Sequence, residues 1–327
     1  MHIAILGAGA WGTALAIHFS RTHQVTLWTR QIQHANALRQ QRVNSRYLPD
    51  IPLPASIRIE ANLNQALSHT DLALVATPMA GLRPTLQVLT QSAYTAPVVW
   101  ACKGLEQETM LLPHAVAEAV LPLGHTFGML SGPSFALEVA QGLPAAITLA
   151  SSNQDFAHAM AEKLHDNRLR IYSSTDLIGI EIGAAVKNIM AIAAGVSDGL
   201  ALGHNARAAL LTRGMAEMAR FGVALGAQTE TFMGLAGLGD LILTATGNLS
   251  RNRQVGLMLA EGKSLDEAVQ SLGHVAEGVP TTREVTHQAQ QLNIDMPITF
   301  AVYQLLFANQ SASAVVNQLM GRRQKAE

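Results

Sequence analysis

Apolar residues follow two different rhythms along this chain. Up to about residue 175, short β-type runs alternate with stretches whose apolar positions recur at helical spacing. The runs are "HIAILG" (2–7), "QVTLWT" (24–29), "DLALVAT" (71–77), "PVVWAC" (97–102) and "FGMLSG" (127–132), and "PAAITLAS" (144–151) and "RLRIYSS" (168–174) extend the series. Between the first two, "WGTALAIHFSR" reads as a helix. Such alternation predicts a mostly parallel, doubly wound α/β sheet. From Asp176 onward small and apolar residues recur at helical spacing, glycines punctuate, and no convincing strand appears. The expected organisation is an α/β domain over 1–178 followed by a mainly α-helical domain over 179–327. No internal repeat or low-complexity linker separates them.

Composition narrows the class. The chain is 49% hydrophobic and 14% charged, enough apolar material for sizeable cores and against disorder. A net charge of −1 gives no reason to expect nucleic acid or an acidic membrane surface as partner. A single cysteine, Cys102, excludes an internal disulfide framework and a cysteine metal cluster. The histidines show no metal-ligand spacing, and no metal is expected. No run of about 18 or more apolar residues is evident, so no bilayer span is expected. The N-terminus enters a strand without a basic leader, which points to a cytoplasmic protein. Charge is nevertheless uneven. No acid precedes Asp50, while Arg21, Arg30, Arg39, Arg42 and Arg46 do, forming either a solvated helix face or a local anion site.

The anion reading gains weight from "ILGAGAWGTALA", where Gly7, Gly9 and Gly12 have G-x-G-x-x-G spacing after a strand and at a helix start. Gly7 suits the tight turn, Gly9 lets backbone approach a pyrophosphate, and Gly12 lets helix and strand pack closely. The helix N-terminus then offers amides and partial positive charge to the anion. This predicts a Rossmann-type dinucleotide site. An acid at the end of the second strand would hold a free ribose 2′-hydroxyl, but the strand ends in Thr29 and Arg30. An arginine there suits a 2′-phosphate, so NADPH is favoured over NADH.

Ligands of open α/β sheets sit beyond the carboxyl ends of the strands. Thr77 and Pro78, Lys103, and Gly132, Pro133 and Ser134 reach that edge. Lys103 holds an anionic or carbonyl substrate or is a solvated surface lysine, and Cys102 reads as a small buried residue. In the helical half, "EIGAAVKNIMAIAAGVSD" (181–198) carries one charge, Lys187, between its terminal acids. Its helix-face neighbours Gly183, Ala184, Met190 and Ala191 are uncharged. Either the ammonium snorkels to water, or it is a desolvated lysine of lowered pKa poised for proton transfer. Its counter-charge is expected from "MGLAGLGDLILTATGNLSRNRQVG", where Asp240 and Thr244 would share a helix face. Arg251 and Asn252 form either an exposed basic loop or a phosphate anchor.

The segments "GAGAWGTALA", "ACKGLE", "SGPSFALEVA", "GAAVKNIMAI", "DGLALGHNARAALLTRGMAEM", "GLAGLGDLILT", "SRNRQVG" and "VAEGVPTT" run in order over nearly the full length. In these the chain resembles the NAD(P)-dependent glycerol-3-phosphate dehydrogenases of the bacterial type. The resemblance implies reversible reduction of dihydroxyacetone phosphate to sn-glycerol 3-phosphate by NADPH or NADH, supplying phospholipid biosynthesis. It places Lys187 at the catalytic lysine and Lys103 at a contact with substrate and cofactor. Gly132, Ser134, Asp240, Ser250, Arg251 and Asn252 match substrate positions, and Thr244 is grouped with them by its spacing from Asp240. Ala10, Trp11, Arg30, Ala136, Arg251, Val275 and Glu277 match cofactor positions. Cys102 departs from the threonine of many relatives. The apolar helical half makes a homodimer plausible. Two competing readings are a related reductase acting on an unphosphorylated hydroxy acid or sugar derivative, and a non-enzymatic NADPH sensor.

Overall fold

The computed structural model describes residues 1–273 and 276–323. The chain divides into two units, the first comprising Met1–Lys103 and Pro113–Leu177, the second Gly104–Leu112 and Ile178 onward.

The first unit holds strands β1 (His2–Leu6), β2 (Gln24–Trp28), β3 (Val43–Asn44), β4 (Leu48–Pro52), β5 (Arg58–Glu60), β6 (Leu72–Val75), β7 (Val98–Trp100), β8 (Phe127–Ser131), β9 (Ala145–Ala150) and β10 (Leu169–Ser174). Its helices are α1 (Ala10–Phe19), α2 (Ile32–Gln41), α3 (Leu63–Leu67), α4 (Leu82–Gln91), α5 (Pro113–Val120), α6 (Ala136–Gln141) and α7 (Gln154–Leu164). Eight strands form one sheet in the order β10-β9-β8-β7-β6-β1-β2-β5, and β3 pairs with β4 in a separate ladder. Every pair in the large sheet is parallel except β8–β9, which runs antiparallel with Ser131 opposite Thr148. The antiparallel step arises because the chain returns into the sheet from the edge at which β8 ended, with Gly142 in the left-handed region (φ 78°) after α6.

The strand runs read from the sequence are all present. Those in the middle are apolar without alternation because both faces are covered; all four residues of β6 are buried. Strand order reverses at β1, which lies between β2 and β6, so the chain leaves its carboxyl end at a topological switch point. The basic segment resolves differently from a single anion site. Arg39 donates through Nε and Nη2 to the Ile59 carbonyl (3.0 and 2.8 Å), and Arg42 donates to the carbonyls of Ile57 and Pro54. These two guanidiniums satisfy backbone acceptors around the edge strand β5, while Arg30 and Arg46 are exposed.

The second unit is helical: α8 (Leu177–Gly199, its first residue in the other unit), α9 (Gly203–Ala224), α10 (Asp240–Thr246), α11 (Arg251–Ala260), α12 (Leu265–Leu272), α13 (Gly278–Gln291), α14 (Pro297–Phe307) and α15 (Ala312–Met320). Helix α8 is its axis. Ile182, Val186 and Ile189 pack with Phe221, Leu241 and Val255 in one core. Contrary to the expectation from run length, α8 is long and apolar enough to cross a bilayer, with a mean hydropathy of 1.6. However, 89% of that stretch is buried inside the protein, as in a core helix covered on all sides. Glycines let other segments reach its backbone. A Cβ on Gly195 would stand 2.0 Å from the Arg253 carbonyl oxygen, and one on Gly256 would stand 2.0 Å from that of Ile192. Helices α8 and α11 therefore touch backbone to backbone. Elsewhere, the buried carboxylate of Glu217 on α9 caps α14, accepting from the amides of Ile298 (2.6 Å) and Thr299 (3.1 Å) and from the Thr299 hydroxyl (3.0 Å).

Candidate active site

At the carboxyl end of β1 the three motif glycines have three distinct surroundings. Gly7 takes φ 125°, and a Cβ there would lie 2.7 Å from the Ala76 carbonyl oxygen. A Cβ on Gly12 would lie 1.9 Å from the Gly7 oxygen, so only glycine lets α1 sit this close to the turn. Gly9 faces open space, with nothing within 4 Å of an added Cβ. It is also the N-cap of α1 and lends no side chain to the first amides. An open backbone edge under an uncapped helix N-terminus fits a dinucleotide pyrophosphate. Ala10 and Trp11 begin that helix, half-buried. The loop is held from behind, where Asn44 Nδ2 donates to the Ala8 carbonyl (3.0 Å) and Thr13 Oγ1 (2.7 Å). Asn44 Oδ1 lies 3.1 Å from His34 Nε2, and His34 Nδ1 lies 3.3 Å from Thr29 Oγ1. Thr29 is buried at the end of β2, and exposed Arg30 follows it.

Farther along the same edge, Lys103 is half-buried three residues past β7, and Cys102 before it is buried with its thiol 4.0 Å from the Met79 sulfur. Gly132 follows β8 with φ 148°, its missing Cβ position 2.8 Å from Ile147 Cα. Ser134 Oγ donates to the Gly132 carbonyl (2.9 Å), and half-buried Ala136 opens α6.

The second unit assembles the charged centre. Lys187 is 5% exposed, Asp240 1% and Thr244 6%. Lys187 Nζ donates to Asp240 Oδ1 (2.5 Å) and to Thr244 Oγ1 (2.9 Å), and the Thr244 hydroxyl stands 3.2 Å from the same carboxylate oxygen. The sequence dictates this locally. Asp240 and Thr244 lie one turn apart at the start of α10, after the wide turn Leu235–Gly239. Gly183, one turn before Lys187, lets that turn lie on α8: a Cβ there would meet the Ala236 oxygen at 2.6 Å. The carboxylate compensates the ammonium in this dry setting.

Next to Lys187, Asn188 Oδ1 accepts from Asn252 Nδ2 (2.9 Å), and Asn252 Oδ1 accepts from the Gly278 amide (3.0 Å). The chain of amides fixes the starts of α11 and α13 against α8. Asn252 is thus engaged on both sides of its amide. Ser250 is the buried N-cap of α11, its hydroxyl accepting from the Arg253 amide (3.2 Å), and Arg251 is exposed on the first turn. Half-buried Glu277 precedes α13, and Val275 lies outside the described residues. Asn188, Asp198 and Arg253 escaped the sequence reading. Asn188 had a signal, since it is a second polar residue inside an apolar helix. Among the described residues no group of three or more His, Cys, Asp or Glu side chains could hold a metal.

Comparison with known proteins bears on this geometry. The family models for the N-terminal and C-terminal parts of NAD-dependent glycerol-3-phosphate dehydrogenase match residues 2–157 and 176–317. The chain is 53% identical to glycerol-3-phosphate dehydrogenase [NAD(P)+] of Nitrosospira multiformis, covering 100% of this chain and 99% of that one. It is 54% identical to the enzyme of the same name from Nitrosomonas europaea, with the same coverage. The chain belongs to the NAD-dependent glycerol-3-phosphate dehydrogenase family. It is accordingly an oxidoreductase that uses a nicotinamide cofactor. The fold agrees with that of the family member from Coxiella burnetii, with a TM-score of 0.93, 41% identity, and coverage of 98% of this chain and 99% of that one.

Proposed function

We propose that this enzyme reversibly reduces dihydroxyacetone phosphate to sn-glycerol 3-phosphate, with Lys187 as the proton-transferring group. The observation that carries the reading is the buried Lys187 ammonium held between Asp240 and Thr244. The nicotinamide, when bound, supplies the hydride that converts the substrate's C2 carbonyl carbon into an alcohol carbon. Lys187 stabilises the negative charge growing on the C2 oxygen and passes it a proton from Nζ. In the oxidation direction the neutral amine takes that proton back. Asp240 and Thr244 aim Nζ. Arg251 and Asn252, with Ser250, Gly132, Ser134 and Lys103, hold the substrate, and anchoring its remote phosphate converts binding into alignment of the carbonyl.

Residues 1–178 are assigned most of the dinucleotide contacts, and 179–327 the proton chemistry and the phosphate anchor. Gly7, Gly9, Ala10, Trp11, Gly12, Arg30, Ala136 and Glu277 serve the cofactor, as do Lys103 and Arg251, with NADPH preferred over NADH through Arg30. The proposed setting is a cytoplasmic homodimer that feeds phospholipid synthesis.

The test is loss of reduced-nicotinamide absorbance with dihydroxyacetone phosphate and with unphosphorylated dihydroxyacetone, each with NADPH and NADH. Rapid loss with the phosphorylated substrate alone supports the reading. Equal rates on both would remove the need for a phosphate anchor, and no loss with either would favour a cofactor sensor.

A further inference from the structure

We infer that Asp198 and Arg253 are positioning residues for the phosphate end of the substrate, an inference that rests on the reaction proposed above. Asp198 lies about three turns beyond Lys187 on nearly the same face of α8, because eleven residues at about 3.6 per turn return almost to the starting angle. Arg253 is on the first turn of α11, directly after Arg251 and Asn252. Its Nε and Nη2 both donate to Asp198 Oδ2 (3.0 and 2.7 Å), while Nη1 donates to Asn248 Oδ1 (3.2 Å). Its own amide receives the Ser250 cap. One side chain therefore ties α8 both to the loop 247–250 and to the helix turn that bears the proposed anchor. Arg207 on α9 completes the clamp, its Nη1 reaching both Asp198 oxygens (3.2 and 3.1 Å).

The glycine seam sets how closely α8 and α11 approach, but a seam of bare backbone allows sliding and rotation. Two side-chain ties remove that freedom. Asn188–Asn252 acts beside Lys187, and Asp198–Arg253 acts three turns away. A substrate bound by its phosphate and protonated at its carbonyl needs that separation held constant, since a shift of about 1 Å can cost on the order of a hundredfold in rate. The Asp198 and Arg253 side chains are only 15% and 13% exposed, so solvent screens their attraction less than that of a surface pair.

The experiment is steady-state kinetics of the full-length enzyme and of Asp198→Asn and Arg253→Lys, with melting temperatures alongside. The expected result for Asp198→Asn is a rise of about tenfold or more in KM for dihydroxyacetone phosphate, with KM for the reduced cofactor changed less than about threefold. Arg253→Lys keeps the charge but cannot reach Asp198 and Asn248 together, so it shows the same pattern with a smaller rise. It carries the test if Asp198→Asn fails to fold. A purely structural role predicts lower kcat from a smaller folded fraction with both KM values unchanged, and that outcome overturns the inference. So does a parallel rise in both KM values. A wild-type enzyme inactive on dihydroxyacetone phosphate would instead overturn the reaction itself, and the inference with it.

Discussion

A buried ammonium persists only where its charge is compensated, and at Lys187 the compensation comes from Asp240. Asp240→Ala leaves that charge stranded and is expected to destabilise the enzyme by about 3–5 kcal/mol, measured by denaturant unfolding. Asp240→Asn preserves volume and a hydrogen-bonding group, so a smaller loss is expected of it. Lys187 was legible in the sequence because it is a single charge inside an apolar run, and Asp240 with Thr244 because a one-turn spacing follows a glycine-rich turn. Whether the lysine snorkelled or stayed dry was not legible, since that depends on Gly183 admitting the 235–239 turn onto α8. The pairing of Asp198 with Arg253 was not legible for the same reason. Which helix a charge meets is decided by packing, not by its neighbours in sequence.

Among elements, the strand–turn–helix around Gly7–Gly12 separates glycines needed for the fold from one open to a ligand. Gly12→Ala drives a Cβ into the Gly7 carbonyl and is expected to destabilise the first unit by about 1–3 kcal/mol or more. Gly9→Ala meets nothing and keeps an allowed backbone (φ −76°), so its melting temperature should stay near wild type while KM for the cofactor rises at least about tenfold. Thermal melts and cofactor titrations of the two variants check both halves. The motif spacing was visible in the sequence, whereas β5 and the β3–β4 ladder were not. Arg58–Glu60 is too short and polar to read as a strand, and β4 contains Pro49 and Pro52.

The α9–α14 junction carries a pH dependence. Burial pushes the Glu217 carboxyl up from its ordinary 4.5 to about 7, against the hydrogen bonds from Ile298 and Thr299. A carboxyl raised in the folded state binds its proton more tightly there than in the unfolded chain. Its contribution to stability is therefore fullest below about pH 4.5 and is lost as pH rises towards about 7, by about 3 kcal/mol. Unfolding free energies measured across that window should fall with pH in the wild type relative to Glu217→Gln.

At the scale of the whole molecule, a basic start without acids before Asp50 resolves into two tasks. Arg39 and Arg42 close the edge of the sheet, and Arg30 stays exposed beyond β2. Arg30→Asp is expected to lower kcat/KM for NADPH at least about tenfold relative to NADH, because a carboxylate repels a 2′-phosphate and accepts from a 2′-hydroxyl. Parallel kinetics with both cofactors check this, and equal losses would remove Arg30 from cofactor choice. The division into an α/β half and a helical half was legible because periodicity changes near Asp176. The antiparallel β8–β9 step was not, since a turn such as Gly142 does not disclose from which edge the chain re-enters the sheet.

Proton transfer by Lys187 is measured most directly by single-turnover reduction of dihydroxyacetone phosphate by Lys187→Met. Product is expected to form at least about a hundredfold more slowly than in the wild type, with the reduced cofactor bound about as tightly. Turnover within about tenfold of the wild-type rate would contradict the assignment and move the proton-transferring role to another group.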